Sequence, residues 1–490
     1  AIAQKMTWVE PPKSSSYVIK NCRVPNVLLS FHKNSDEHSQ KKKKKKNIVI
    51  DRDGLSTVNI TILNGLISSI DPSEKEQEEE EVVTTSTDDE KKKKSDDDDG
   101  GVILDLKNGI CFPTFADLHT HIDKGHTCER SRNESGSLAG ADESCQRDGE
   151  HWTEEELIKR MEFSLKTAYA HGTSIVRTHL MSGPIQGLLT WPVFVKLREK
   201  WKGKVELQGV SLSILSFFRD REASRELARQ VKECKGILGA AVSCSDYGGT
   251  DLDPHTTCGN DLHKLLDIIF QLAKEFELNL DFHVDENGNE ESKGLMHIAN
   301  AAIRNDYKGN IVCGHCCSLA VQTTENLELM LQTAKKASIT IVSLPLVNQW
   351  LQNRCEVGEK TPRRRGVPLL KEIANRKIPI CLASDNIRDQ FYGYGDLDML
   401  EVFRLSVFIA HLDRPSFGDW PKAVTSTPAR AMGFGETHGL IREGGEANLV
   451  LFKARHYSEL FSRPQHDRLV LRHGKHIGVS IPGYEELDEI

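Results

Sequence analysis

The sequence has no apolar run approaching the ~18 residues that a membrane-spanning helix requires, and its first residues lack the basic-then-apolar pattern of a secretory signal. It also has no regular cysteine spacing. Its 12 Cys are scattered, with Cys316 and Cys317 adjacent, which excludes a disulfide framework and points to reduced thiols. Surplus positive charge is missing as well: 64 Lys+Arg stand against 72 Asp+Glu, a formal net charge of -8. Such a balance gives no general attraction for phosphate backbones or anionic bilayers, so neither nucleic acid nor membrane is an expected partner. A cytoplasmic protein is the expectation, and an opening on Ala1 leaves room for a targeting segment removed upstream. The 490 residues, 38% hydrophobic and 28% charged, are enough for a large core and for a barrel plus an accessory domain.

Two stretches are compositionally odd: the lysine run Lys41–Lys46, and Glu74–Asp99 with its successive blocks of Glu, Lys and Asp. They cannot bury enough apolar surface to offset ordering entropy, and read as solvated insertions near 32–47 and 73–100. Around them Tyr17–Ile19, Ile48–Ile50 and Val58–Ile70, the last containing an Asn64-Gly65 turn, read as strands. The far end repeats that texture in Ala447–Phe452 and Leu469–Val479, around His473-Gly474. Residues 1–113 with 437–490 are therefore expected to form a small β-sandwich domain built from both chain ends. Between them, residues 114–436 alternate short apolar strands (Ile175–His179, Val205–Val210, Leu278–His283, Ile311–His315, Ile339–Leu344, Ile378–Ala383) with amphipathic stretches such as Glu154–Ala170 and Leu262–Phe276. That rhythm argues for βα units, and polar residues ending successive strands argue for an α/β (β/α)8 TIM-like barrel, whose site lies at the carboxyl ends of its strands.

Those strand-end residues carry the chemistry. In Leu118-His119-Thr120-His121 the two histidines stand at i and i+2, on one face of a strand, where one metal can take both. Alone, the pair is as readily two structural histidines. Further donors follow at the same kind of place: His283 ends a strand with Glu286 three residues on, His315 ends the next, and Asp385 follows a later one. Three imidazoles and a carboxylate suit Zn2+ or Fe2+ with room left for a water, and Glu286 supplies a general acid/base.

HTHIDK at His119–Lys124, VRTH at Val176–His179, HVDE at His283–Glu286, GH at Gly314-His315, PLVNQWLQNR at Pro345–Arg354, PRRRG at Pro362–Gly366 and ASDNIRD at Ala383–Asp389 occur in one order. Together they resemble the amidohydrolase superfamily, and within it the cytosine deaminase subgroup that includes N-isopropylammelide amidohydrolase. STPARAMGF from Ser426 and GGEANLVLF from Gly444 are similar to its last barrel helix and its return to the sandwich. The resemblance implies a metal-dependent hydrolase of carbon–nitrogen bonds outside peptides. One divalent metal, Zn2+ or Fe2+, would be held by His119, His121, His283 and Asp385. Glu286 would shuttle protons, Asp385 would accept the proton of water, and His315 would polarise the attacked centre or steady the hydroxide. A small heterocycle, a cytosine-like pyrimidine, triazine or related ring, would lose ammonia or an amine. No lysine ends a mid-barrel strand as a two-metal relative's bridging carbamate requires, and Lys124 lies too near the HTH motif, so a single metal is expected. Homo-oligomers are implied too.

Two departures bear on the substrate. Asn386 stands where cytosine deaminases carry a second acid, and Ile214 where they carry a ring-reading glutamine, while Gln208 matches a framework glutamine. Cytosine is therefore disfavoured. Phe391 and Asn348 complete the expected substrate contacts, with Tyr392 as a further aromatic, and His179 is read as barrel interior. Two other functions remain open: a hydrolase that opens a cyclic amide or amidine, and a non-catalytic scaffold on the same fold.

Overall fold

The computed structural model describes residues 8–10, 13–31, 48–73, 102–242, 261–352, 354 and 361–488. The lysine run and the acidic stretch lie outside them. The chain divides into two compact units, one of residues 1–115, 413–426 and 436–480, the other of residues 116–412, 427–435 and 481–490.

In the first unit Tyr17–Pro25 pairs antiparallel with Leu55–Leu63 and parallel with Ile103–Asp105, and Leu66–Pro72 folds back on Leu55–Leu63. A second four-stranded sheet joins Lys475–His476, Leu469–Arg472, Leu449–Leu451 and Cys111–Pro113. Both hairpins turn on residues with positive φ, Asn64 and Gly65 (52° and 81°) and His473 and Gly474 (47° and 70°), the turn whose twist suits a two-residue hairpin. One apolar core, including Val58, Ile60, Leu104, Leu449 and Leu471, draws on both chain ends. Ile48–Ile50 is not a strand: Val49 and Ile50 are exposed, and the Asp51 side chain immediately begins a turn by accepting the amides of Asp53 and Leu55. Residues 413–426 belong here through Phe417, whose ring stacks on Tyr457 at 4.0 Å.

Among the described residues the second unit has eight strands: β1 (Phe115–Thr120), β2 (Thr173–Met181), β3 (Glu206–Leu212), β4 (Leu238–Val242), β5 (Leu280–Val284), β6 (Ile311–His315), β7 (Thr340–Ser343) and β8 (Ile380–Leu382). β1, β2 and β3 are neighbours in one sheet and β4 to β8 in another, and β2–β3 and every pair from β4 to β8 run parallel. Isolated parallel bridges, Val210 to Ile237 and Ile214 to Ala241, connect the β3 and β4 segments; another joins Thr120 to Asp385. Helices separate the strands, as in Glu154–Ala170, where Thr153 accepts the amide of Glu156 and three glutamates occupy the first turn, complementing the helix dipole. The strands are buried nearly throughout, the mark of a parallel sheet covered on both faces. Arg177 inside β2 is satisfied by Asp281 of β5 at 2.8 Å and by Gln208 of β3, which donates in turn to the Met432 carbonyl. Residues 481–488 join this unit through Tyr484, stacked on Phe163.

Candidate metal and catalytic centre

The carboxyl ends of β1, β5 and β8 bring four donors together. His119 Nε2 lies 3.2 Å from His283 Nε2, which lies 3.1 Å from His121 Nε2; Asp385 Oδ1 is 3.2 Å from His121 Nε2 and 3.6 Å from His119 Nε2. Donors about 2.1 Å from a tetrahedral ion stand about 3.4 Å apart, so this spacing fits one divalent metal. Both carboxylate oxygens of Asp385 are buried without a hydrogen-bond partner, and an orphaned carboxylate facing imidazole nitrogens calls for a cation. Burial holds all three imidazoles well below their ordinary pKa, followed by the neighbouring rings at His119 and His283 and by Lys124 at His121, leaving the neutral form that ligates.

The backbone is adapted to this convergence. Gly314 lies under His119: a Cβ there would come within 2.8 Å of His119 Cε1. His315 and Asp385 hold φ of 65° and 68°, strain of the kind tolerated at functional positions. Asp385 is set by its amide, which donates to the His119 carbonyl, and by its neighbour Ser384, whose amide and hydroxyl donate to Asp117 of β1.

Beside the four donors Asn348 Nδ2 donates to Glu286 Oε1 and to His315 Nδ1, each at 3.0 Å. Gln352 holds the Glu286 carbonyl. Burial pushes His315 down to about 3, so its ring is neutral, and with Nδ1 accepting from Asn348 the proton sits on the buried, unpartnered Nε2. Glu286 is pushed the other way, up to about 8, by burial and then by Asp142, against Lys124 and the Asn348 bond. The site thus offers one neutral N–H donor and one carboxyl that keeps its proton at neutral pH.

The remaining expected residues fall around this pair. Asn348 spends its Nδ2 on Glu286 and His315, and its Oδ1 is buried without a partner. Asn386 donates to Asp389 at 2.7 Å, so Asp389 orients it. Phe391 is buried under the Lys124 ammonium, 3.9 Å from its ring centre. Ile214 is 51% exposed beyond the end of β3. His179 does more than fill the interior: its ring lies 3.9 Å from that of His119, and its Nε2 is 3.4 Å from Asp281 Oδ1. It joins His119, His121 and His283 in a second grouping able to hold an ion. Lys124 and Asp142 were absent from the sequence reading of the pocket. HTHIDK named Lys124 only as a residue too close for a carbamate, and nothing local singles out Asp142.

These groups set a pH dependence. Burial raises Asp117 to about 7, Glu286 to about 8 and Asp385 well above its usual range. Between pH 6.5 and 8 the unfolded chain has already lost these protons while the folded chain retains them, so stability falls as pH rises. The histidines, lowered in the fold, are about half protonated in the unfolded chain at pH 6.5 and oppose this up to about pH 7.5, but the three carboxyls outweigh them across the window. The Tm of metal-free protein is expected to drop between pH 6.5 and 8.5, and a divalent metal, which favours ionised Asp385, should raise Tm more at 8.5 than at 6.5. A metal-free Tm that climbs over this range would contradict the assignment.

The model of the Amidohydrolase family matches residues 246–477. The chain is 40% identical over 486 residues to the pterin deaminase of Rhizobium rhizogenes strain K84, covering 99% of each. It is 26% identical to the N-isopropylammelide isopropyl amidohydrolase of Pseudomonas sp. strain ADP, over 72% of this chain and 81% of that one. The structure of 5-methylcytosine deaminase from Klebsiella pneumoniae with 5-fluorocytosine superposes with a TM-score of 0.70 at 21% identity, over 95% of this chain and 98% of that one.

Proposed function

The chain belongs to the amidohydrolase family, as a hydrolytic deaminase of a nitrogen heterocycle, and from that premise we propose that its ring is a pterin, a 2-amino-4-oxopteridine. His119, His121, His283 and Asp385 hold one divalent metal, Zn2+ or Fe2+, and the eight parallel strands close as a (β/α)8 barrel around it, with the first unit as its accessory β-sandwich. When bound, the metal lowers the pKa of a coordinated water toward neutrality.

The chain's own groups do the rest. Glu286, protonated at neutral pH, gives its proton to the ring nitrogen beside C2, which makes that carbon electrophilic. His315 donates from Nε2 toward the oxygen being added, with Asn348 fixing the tautomer. Asp385 accepts the proton shed by water. Glu286, now ionised, takes the proton of the added hydroxyl and passes it to the exocyclic nitrogen as the C2–N bond breaks, and the proton held by Asp385 returns Glu286 to its starting form. Water and the aminopteridine become the 2,4-dioxopteridine and ammonia.

The observation that carries the reaction type is the convergence of three neutral imidazoles and an unpartnered carboxylate beside a protonated Glu286. Pterin as the ring is supported by the 40% identity along the whole chain to a pterin deaminase, and by Asn386 and Ile214 in place of the residues expected for cytosine. The test is ammonia release by metal-replete protein from pterin, guanine, cytosine, 5-methylcytosine and N-isopropylammelide. The expected result is one ammonia per 2,4-dioxopteridine formed, with kcat/KM for pterin at least about a hundredfold above the others. A ring-opened product without ammonia, or preference for cytosine, would overturn the proposal.

A further inference from the structure

Lys124 carries a charge that the fold leaves without an acceptor. The residue is only 3% exposed, and its ammonium stands 3.9 Å from the centre of the Phe391 ring. Among the described residues no hydrogen bond or ion pair engages that ammonium. The acids of its neighbourhood are spent elsewhere. Asp123 accepts the amides of Lys124 and Met181, at 2.9 and 2.7 Å, and Asp389 accepts from Asn386 and from the amides of Phe391 and Tyr392. Burial works against the charge, yet Cys145, Asp389 and Asp123 around it outweigh burial and hold its pKa above the ordinary lysine value, so it is an ammonium at neutral pH.

Its place is the wall of the site. Lys124 follows His121 by three residues, and the chain beyond it is bonded to the chain beyond Asp385: the amides of His126 and Cys128 donate to the carbonyls of Ile387 and Arg388, each at 3.0 Å. Phe391 in turn packs with Leu351, on the helix that carries Asn348. The ammonium thus stands among the metal-holding ends of β1 and β8 and the Asn348 helix. An aromatic face meets it on one side, but its three N–H groups want lone pairs, and a buried ammonium left without them is costly. Asn348 Oδ1, the unpartnered buried acceptor beside Glu286, can take only a ring N–H, so the acceptors of the ring fall to Lys124.

We infer that Lys124 is a specificity-determining residue, its ammonium binding the carbonyl oxygen at C4 of the heterocycle together with the adjoining N5, and rejecting rings that present a donor there. The inference rests on the pterin reading. In a pterin those two acceptors stand side by side on adjoining rings with their lone pairs directed the same way, so one ammonium can take both. An amino group at C4 would aim its N–H at the ammonium and leave both unpaired.

The experiment compares kcat/KM for pterin, 2-aminopteridine, which lacks the C4 oxygen, and 2,4-diaminopteridine in the wild type, Lys124→Met and Lys124→Gln, with metal content measured for each. The wild type is expected to prefer pterin to either by at least about a hundredfold, as a site built to pair a polar group rejects a ring without it. Lys124→Met should lower kcat/KM for pterin by about ten- to a hundredfold, chiefly through KM, as for loss of a hydrogen bond to a charged group, and leave 2-aminopteridine nearly unchanged. Lys124→Gln, which keeps a neutral donor, should fall between. A merely structural lysine would move all three substrates alike, and unchanged ratios in a metal-replete variant would overturn the inference while leaving the pterin reading intact. Should neither variant retain metal, inhibition of the wild type decides: pteridin-4-one should bind at least about tenfold more tightly than unsubstituted pteridine, and equal inhibition would overturn the inference. Failure of the wild type to deaminate pterin would overturn both readings.

Discussion

Glu286→Gln is expected to lower kcat by about 10²- to 10⁴-fold, the range for loss of a positioned general acid, while the protein keeps its full metal content. The exchange is nearly isosteric, and the carbonyl of the substituted amide can still accept from Asn348 Nδ2, so the side chain keeps its place. What disappears is the proton that burial and Asp142 hold on the carboxyl near neutral pH. A loss confined to KM, or one below about tenfold, would show that Glu286 only braces Asn348 and His315. Parallel ammonia and metal assays on the purified variant separate these outcomes.

Asp385→Asn should abolish metal retention and, with it, turnover. Outer-sphere changes at metal sites typically cost 10- to 100-fold in affinity, and removing the only anionic member of the set should cost more. The thermal signature is specific. Metal at about 100 times its dissociation constant stabilises the wild type by about 2.7 kcal/mol, and the variant should lose that gain entirely. Without metal the order should reverse: at pH 8 the variant should melt no lower than the wild type, because Asp385 is buried with neither oxygen paired and the amide removes that cost. A variant that melts lower without metal and still gains Tm with metal would place Asp385 in the framework and the ion elsewhere, with His179 the first residue to examine in its stead.

The contrast between what the sequence announced and what it concealed has a physical origin. His119, His121, His283, His315 and Asp385 were legible because each follows an apolar run short enough to be one buried strand, and strand ends are where a parallel sheet displays its side chains. β4 was missed because Leu238–Val242 reads LGAAV, with little of the β-branched signal that marks β5 or β6, and becomes a strand only between two neighbours. The helix Leu138–Gly149 escaped for a similar reason. Its sequence is mostly polar, and it is fixed by the Ser137 cap and by Ala141 and Cys145 reaching a cluster whose other members are distant in sequence. Asp142 and Lys124 therefore could not be assigned to the pocket from local pattern. Asn348 shows the converse. It was expected to touch the ring, and in the Pro345–Leu351 helix its Nδ2 has a second task no local pattern announces, spanning Glu286 and His315.

The pH and temperature behaviour, the variants and the substrate preference all depend on one ion serving one reaction. Metal-free protein titrated with Zn2+ or Fe2+ while ammonia release from pterin is followed tests this most directly. Activity should rise linearly and level at one equivalent per chain, with ammonia matching the 2,4-dioxopteridine formed. Levelling at two equivalents, or ammonia released at an undiminished rate by the metal-free protein, would contradict it.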